Sequence, residues 1–267
     1  MASDERNPLT VDLVIPVLNE AHVLEKSVAT VRAFLAEQAG WSWRVVIADN
    51  GSTDGTDAVA HRLAGQYPEV RLLQLPQRGR GRALRLAWGQ SDAAIMAYTD
   101  VDLSTELAAL PKLVRAIAEE GYDLGTGSRL LPVSKTVRSP KREFISRCYN
   151  LMVRAILWTS FSDAQCGFKV VSRRVAQEII PQIEDQAWFF DTELLVLAEK
   201  QGYRIKDLAV EWIEDGDSRV KIFSTAWEDI KGVARLRWTL WRRAFGVAPR
   251  TVRSAPTPAA DSATRPR

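Results

Sequence analysis

Apolar residues fall along this chain in two alternating patterns. Val11 to Val17 is a short apolar run broken at Pro16, which reads as a buried strand ending there. Beyond it Leu24, Val28, Val31 and Leu35 recur every three or four residues, the stripe of an amphipathic helix. The alternation then repeats. Arg44 to Ala48 and Val70 to Leu75 predict strands, and Val59 with Leu63 marks the helix between them. Ala83 to Trp88 predicts a third helix, and the apolar run from Ala93 to Ala97 a fourth strand. A helix follows over Pro111 to Glu119, with proline tolerated in its first turn. Asp123 to Arg129 predicts a strand, 130–142 a basic loop, and Arg142 to Thr159 a helix. Strands at Val170-Val171 and Tyr203 to Ile213 flank a helix opening at Phe190, and a last helix runs from Ser224 to about Phe245.

Strands and helices in this order predict an α/β fold, a mostly parallel sheet with helices on both faces. Ligands on such sheets collect at the carboxyl ends of the strands. Every early strand here ends in a polar cluster: Asn19-Glu20, then Asp49 to Thr56, then Gln77 to Arg82, then Asp100 and Asp102. Four loops are therefore expected to converge on one rim. The expected organisation is a flexible segment over 1–10, a catalytic domain over 11–223, an amphipathic helix over 224–248 and a disordered tail over 249–267. That tail is Pro, Ala, Ser, Thr and Arg.

Composition narrows the chemistry. A net charge of +3 is too small for a general polyanion binder, so no nucleic-acid partner is expected. The two cysteines, Cys148 and Cys166, and the two histidines, His22 and His61, have no metal-ligand spacing. Cys166 reads as packing beside Gly167, and the histidines as helix surface. The opening ten residues are polar, and no apolar stretch of about 18 residues is present to span a bilayer. The carboxylates remain. In a strand, Asp100 and Asp102 would point to one side and could hold a hard cation with positions open for phosphate. Alone, the pair is a weak signal and reads more readily as a polar turn capping a strand.

In sequence, Ile15-Pro16-Val17-Leu18-Asn19-Glu20, Asp49 to Thr56, Arg78 to Gly81, Asp100 to Ser104, Gly127-Ser128-Arg129, Asp163 to Lys169, Phe190 to Leu194 and Ser218 to Lys221 resemble an inverting glycosyltransferase of family 2 with a GT-A fold. Within it the similarity is to polyprenyl-phosphate sugar synthases, nearest to dolichyl-phosphate glucosyltransferases. The resemblance spans roughly residues 10–240. It implies that Pro16, Asn19, Glu20 and Asp49 hold the nucleotide, with Gly79 and Arg80 nearby. Asp100 and Asp102 would hold Mg2+ or Mn2+ against the diphosphate. Val101 stands where the family usually has alanine, a change expected to affect packing only. Asp102, Asp163 and Arg129 are the expected catalytic set, Asp163 occupying the family's candidate-base position. Arg129, Arg219 and Lys221 are expected to grip the lipid phosphate. Gln165, Lys169, Asp191 and Glu193 would position sugar or acceptor, although for Asp191 and Glu193 capping of their helix is the slightly favoured reading.

The expected partners are a nucleotide-diphosphate sugar, favouring a UDP-hexose, and a polyprenyl phosphate. A mannose enzyme using GDP-mannose is the alternative within the class; a non-catalytic sugar-nucleotide binder and a nucleotidyltransferase lie outside it. The last helix, with Leu236, Leu240, Trp241 and Phe245 on one stripe and four arginines beside it, is expected to lie on a membrane surface. A cytoplasmic, peripheral placement on the inner face follows, with a membrane-protein partner as the other means of attachment.

Overall fold

The computed structural model describes residues 8–213 and 222–245. In chain order the elements are β1 (Leu9–Val17), α1 (Ala21–Ala36), β2 (Trp41–Asp49), α2 (Thr56–Gln66), β3 (Val70–Gln74), α3 (Arg80–Gln90) and β4 (Ile95–Thr99). They continue as α4 (Ala109–Ala118), β5 (Leu124–Ser128), β6 (Lys135–Val137), α5 (Pro140–Leu157), β7 (Phe168–Ser172) and α6 (Arg173–Glu178). The remainder is a 3-10 turn (Ile180–Gln182), α7 (Phe190–Lys200), β8 (Ile205–Ala209), β9 (Glu211–Ile213) and α8 (Ile222–Ala244).

Seven strands form one sheet in the order β3-β2-β1-β4-β7-β5-β8. Alternation of side chains across it explains its two-sided burial. Leu13, Ile15, Ile47, Ile95 and Ala97 face α1 and α4, meeting Leu24, Val28, Leu110 and Leu113. Val14, Val46, Met96 and Tyr98 face the other way, onto Leu84 and Trp88 of α3 and Leu194 and Leu195 of α7. Truncating any of these large side chains to alanine should cost about 2–5 kcal/mol. At the amino edge, Asp12 and Arg44 form a bidentate pair at 2.6 and 2.8 Å, a structural tie between β1 and β2 remote from the carboxyl rim.

One strand is reversed. β7 lies antiparallel between β4 and β5, with Lys169 opposite both Tyr98 and Thr126. Its parallel neighbours end at the carboxyl rim, so an antiparallel strand must begin there. The segment Asp163 to Gly167 is thereby delivered to the edge where β4 stops, and the Asp100 amide donates to the Gly167 carbonyl at 3.3 Å.

The structure redraws several boundaries read from the pattern. β1 begins at Leu9, and α3 begins at Arg80, inside the basic glycine-rich segment. α4 opens at Ala109, which leaves Pro111 within its first turn, where the missing N–H costs nothing. Residues 130–142 are not all loop: β6 pairs in parallel with β9 to form a separate two-stranded sheet. The expected strand over 203–213 is accordingly two strands divided at Val210. Asp100 and Asp102 lie beyond the end of β4, in a turn, so strand alternation is not what brings them together.

Candidate active site

The rim is built from loops that hydrogen-bond one another. Asn19 adopts φ 59°, a conformation asparagine tolerates, and its Oδ1 accepts the Thr53 amide at 2.7 Å. The Asn19 amide donates to Ser52 Oγ at 2.9 Å, and the Glu20 amide to Thr56 Oγ1 at 2.8 Å. The polar run after β2 thus pins the turn after β1. Asp49 ends β2, is buried, and accepts the Ser52 amide at 3.1 Å. Pro16 is buried in register with Ala48, on the strands rather than on the loops. Gly79, at φ 146°, donates its amide to Asn50 Oδ1 at 3.1 Å. A Cβ there would lie 2.4 Å from the Gln186 carbonyl oxygen, so glycine is required for the close approach.

Asp100 and Asp102 sit at the centre of this rim. Asp102 is exposed, and its Oδ1 accepts the Ser104 amide at 3.0 Å. Leu103, at φ 51°, makes the tight turn after it, a strained conformation of the kind that clusters at functional sites. Val101 points into the core, where it is 8% exposed beside the α1 and α4 side chains. Asp100 packs on Gly167 so closely that a Cβ at that glycine would fall 1.7 Å from Asp100 Oδ2. Desolvation by the surrounding protein pushes the Asp100 carboxyl above its ordinary value, and nearby Asp102 and Asp191 add to this against Arg80 and Arg129. Two carboxylates with mutual repulsion and an open side fit a small divalent cation that completes its shell with water and phosphate oxygens. Among the described residues no group of three or more His, Cys, Asp or Glu side chains could hold a metal ion.

Behind Asp100 lies a buried charge network. Arg80 Nη2 donates to Asp191 Oδ2 at 2.9 Å and reaches Asp100 Oδ1 at 3.6 Å. Its guanidinium carbon stands 4.9 Å from the ring centroids of both Tyr98 and Trp188. The Tyr98 hydroxyl donates to Asp191 Oδ1 at 2.6 Å, and Lys169 Nζ lies 3.4 Å from the same oxygen. Burial opposes charge on Arg80, but Asp100, Tyr98 and Asp191 outweigh it and hold the guanidinium above its ordinary value. Asp191 is thus the hub that orients Arg80 toward Asp100, rather than a helix cap. Lys169 is fully buried, donating also to the Cys166 and Ala164 carbonyls at 2.8 and 3.2 Å.

Asp163 and Arg129 form a second pair. Arg129 Nε and Nη2 donate to the two Asp163 oxygens at 2.7 and 3.0 Å, and the Arg129 amide adds a bond of 3.1 Å. Asp163 is fully buried; burial alone would raise its value, but Arg129 brings it down to about 2. A carboxylate so acidic is a poor proton acceptor near neutral pH. The Gln165 amide donates to Asp163 Oδ1 at 3.1 Å, while Gln165 Nε2 donates to Asp229 Oδ2 on α8 at 2.7 Å. Glu193 is buried and accepts the Glu184 and Asp185 amides and Arg235 Nη2, at 3.1, 3.0 and 2.7 Å. It ties α8 to α7 and to the 184–185 segment. Cys166 is buried, its thiol pushed up to about 11 by that burial, which makes it unreactive.

The structure therefore gathers Asn19, Glu20, Asp49, Gly79, Arg80, Asp100, Asp102, Arg129, Asp163 and Gln165 along one edge. It places Lys169, Asp191 and Glu193 beneath that edge as supports. Arg219 and Lys221 lie outside the described residues. Tyr98 and Asp229 had no role in the sequence reading, and Gly167 entered only as part of the matching segment Asp163 to Lys169. Asp229 was findable, because it shares a helical face with Val233 and Leu236; Tyr98 carried no signal.

Residues 12–180 match the model of the family described as Glycosyl transferase family 2. The chain is 35% identical over 249 residues to Glycosyltransferase AglD of Haloferax volcanii, covering 91% of this chain and 38% of that protein. It is 30% identical over 220 residues to Dolichyl-phosphate beta-glucosyltransferase ALG5C of Trichomonas vaginalis, covering 78% of this chain and 65% of that protein. To Dolichyl-phosphate beta-glucosyltransferase of Saccharomyces cerevisiae it is 29% identical over 230 residues, covering 79% and 69%. The fold is that of glucosyl-3-phosphoglycerate synthase from Mycobacterium tuberculosis, solved with uridine diphosphate. The TM-score is 0.66 at 19% identity, with 86% of this chain and 80% of that one covered. The same synthase solved with Mn2+, uridine diphosphate and phosphoglyceric acid also gives 0.66, at 18% identity and 86% and 78% coverage.

Proposed function

The chain belongs to glycosyl transferase family 2, and we propose that it moves a hexose, with glucose from UDP-glucose the first choice, onto the phosphate of a polyprenyl lipid. The observation that carries the reading is the seating of Asp100 on Gly167, beside Asp102 and 3.6 Å from Arg80. That arrangement suits a nucleoside diphosphate and the charge that grows on it as it leaves. The two relatives named for dolichyl phosphate favour the lipid phosphate as acceptor and glucose as the sugar.

Under this reading the turn at Asn19-Glu20, pinned by the run after Asp49, holds base and ribose. Mg2+ or Mn2+ on Asp100 and Asp102 would neutralise the leaving diphosphate as a Lewis acid. Arg80, kept charged and aimed by Asp191 and Tyr98, stabilises the same growing charge without reorganising. The acceptor is a phosphomonoester with a second pKa of about 6, largely ionised near neutral pH, so no strong base is needed. Asp163 instead orients Arg129, which has five N–H donors and gives Asp163 two of its side-chain ones. Arg129 then helps hold the incoming phosphate, together with Arg219 and Lys221. Attack from the face opposite the diphosphate inverts the anomeric carbon. A protein acting on such a lipid works at a membrane surface, and the inner face is the one where nucleotide sugars are at hand.

The test is transfer of label from radioactive UDP-glucose or GDP-mannose to polyprenyl phosphate, with Mg2+ or with EDTA. Lipid-extractable label from UDP-glucose, lost in EDTA, is the expected result. Label from GDP-mannose alone would reassign the donor, and label from no nucleotide sugar would overturn the activity.

A further inference from the structure

α5 and α8 leave an open groove of about 470 Å³ between them. Its walls are Met152 and Ile156 of α5 and Ile230, Val233, Trp238 and Trp241 of α8, and its lining is almost wholly apolar. Among the described residues Arg237 is its one charged lining residue, the rest of the surface gives a polar ligand nothing to hydrogen-bond, and Ile156, Ile230, Trp238 and Trp241 are all exposed to water. We infer that this groove seats the isoprenoid chain of the acceptor, an inference that rests on the lipid-phosphate reading above.

The groove starts at the catalytic rim. One turn before Met152, the Tyr149 hydroxyl lies 2.8 Å from Thr192 Oγ1, next to Asp191. Immediately before Ile230, Asp229 accepts Gln165 Nε2 at 2.7 Å, and Gln165 in turn donates to Asp163. Both walls therefore begin against the segments that carry the buried acids of the site. From Ile230 to Trp241 the helix runs roughly 16 Å, a length for a linear occupant rather than a compact one. The outer end is aromatic: Trp238 and Trp241 stack at 5.2 Å, and Phe245 lies 4.9 Å from Trp241.

Charge agrees with an apolar chain bearing an anionic head. The Arg237 guanidinium, on the lining, sits 4.2 Å from the ring centroid of Trp158, and Arg154 and Arg243 are exposed on the same two helices. Arginines there match an anionic lipid surface, while the groove itself takes hydrocarbon. The chain's own residues 246–267, composed chiefly of Ala, Pro, Thr, Ser and Arg, do not have the apolar content to fill it.

Calorimetric titration with geranyl, farnesyl and geranylgeranyl phosphates tests the assignment, with inorganic phosphate as the headgroup-only control. Affinity should rise several-fold with each isoprene unit until the groove is filled. Ala234→Phe, at an exposed position on the lining, should plug it, and Ile156→Asn should make it polar. Each should lower the affinity for the longest chain at least tenfold while leaving UDP binding unchanged. Equal affinity at all lengths, or an unaltered series in both variants, would overturn the inference. So would a concentration-dependent dimer in sedimentation that Ala234→Phe dissolves, since a second copy would then be the occupant. Binding that follows chain length with no sugar transferred from any donor would instead sink the transferase reading and leave the groove standing.

Discussion

Gly167 decides where a catalytic carboxylate can sit. Asp100 occupies the space that a side chain at residue 167 would need, and the atom in the way is the free end of a flexible group. Gly167→Ala should therefore fold normally and push Asp100 aside. Thermal denaturation is expected to stay within about 2–4 °C of wild type, the shift that about 1 kcal/mol produces in a chain of this size. Sugar transfer should fall about 100-fold or more, as when one group that stabilises transition-state charge is lost. A variant with full activity and Mg2+ dependence would show that Asp100 does not need its observed seat. At this scale the sequence was legible where chemistry is written in residue type. Asp100 and Asp102, and the basic segment around Arg80, stood out as polar clusters after strands, and they lie at the carboxyl edge, although a turn and not strand alternation brings the two carboxylates together. Gly167 stood inside a matching segment, but a glycine records nothing about what fills the space it leaves. Asp163 was visible, but its tight pairing with Arg129 depends on how β5 and the segment before β7 meet in space.

Among the elements, α8 carries the least expected feature. Asp229 is buried beneath it, with one oxygen bonded to Gln165 and the other without a hydrogen-bond partner among the described residues. Burial pushes its carboxyl up to about 7; Gln165 opposes this, while Asp185, Asp191 and Glu228 reinforce it. Its value in the unfolded chain is about 3.9. Because the folded value is the higher one, folding favours the protonated acid. That contribution is whole below about pH 4 and is lost as pH rises through about 7. Asp229→Asn keeps an acceptor for Gln165 and cannot ionise. Between about pH 5 and about pH 8, wild type should lose roughly 2–3 kcal/mol relative to this variant. Urea unfolding at the two pH values measures it, and a difference that stayed constant would mean Asp229 is ionised throughout. The pattern of apolar residues located α8, as it located most helices and strands, because a 3.6-residue stripe depends only on local spacing. It could not reveal that β7 runs backwards, since direction within a sheet is set by long-range pairing. Nor could it show that 130–142 contains β6, whose strand partner is the distant β9.

The whole molecule brings the rim and the α5–α8 surface together, and this bears on how a nearly balanced chain could meet a membrane. No helix among the described residues is long and apolar enough to cross one. The net charge is only +3, so attraction to anionic lipid must come from local placement. Four arginines flank the stripe of α8, but Arg235 is committed to Glu193 at 2.7 Å and faces Glu184 and Asp185 as well. That leaves Arg237, Arg242 and Arg243 near the outer end, each contributing about 1 kcal/mol at an anionic surface. Together they would strengthen binding roughly 100-fold at low salt, with Trp238, Trp241 and exposed Phe245 entering the headgroup layer. Flotation with phosphatidylserine-containing vesicles reads this directly. Trp238→Ser/Trp241→Ser should reduce the floated fraction, added salt should weaken what remains, and neutral vesicles should float little of either protein. If the double variant floats as well as wild type in both low and high salt, α8 is not the attachment, and the basic segment at 130–142 or a membrane-bound partner takes its place.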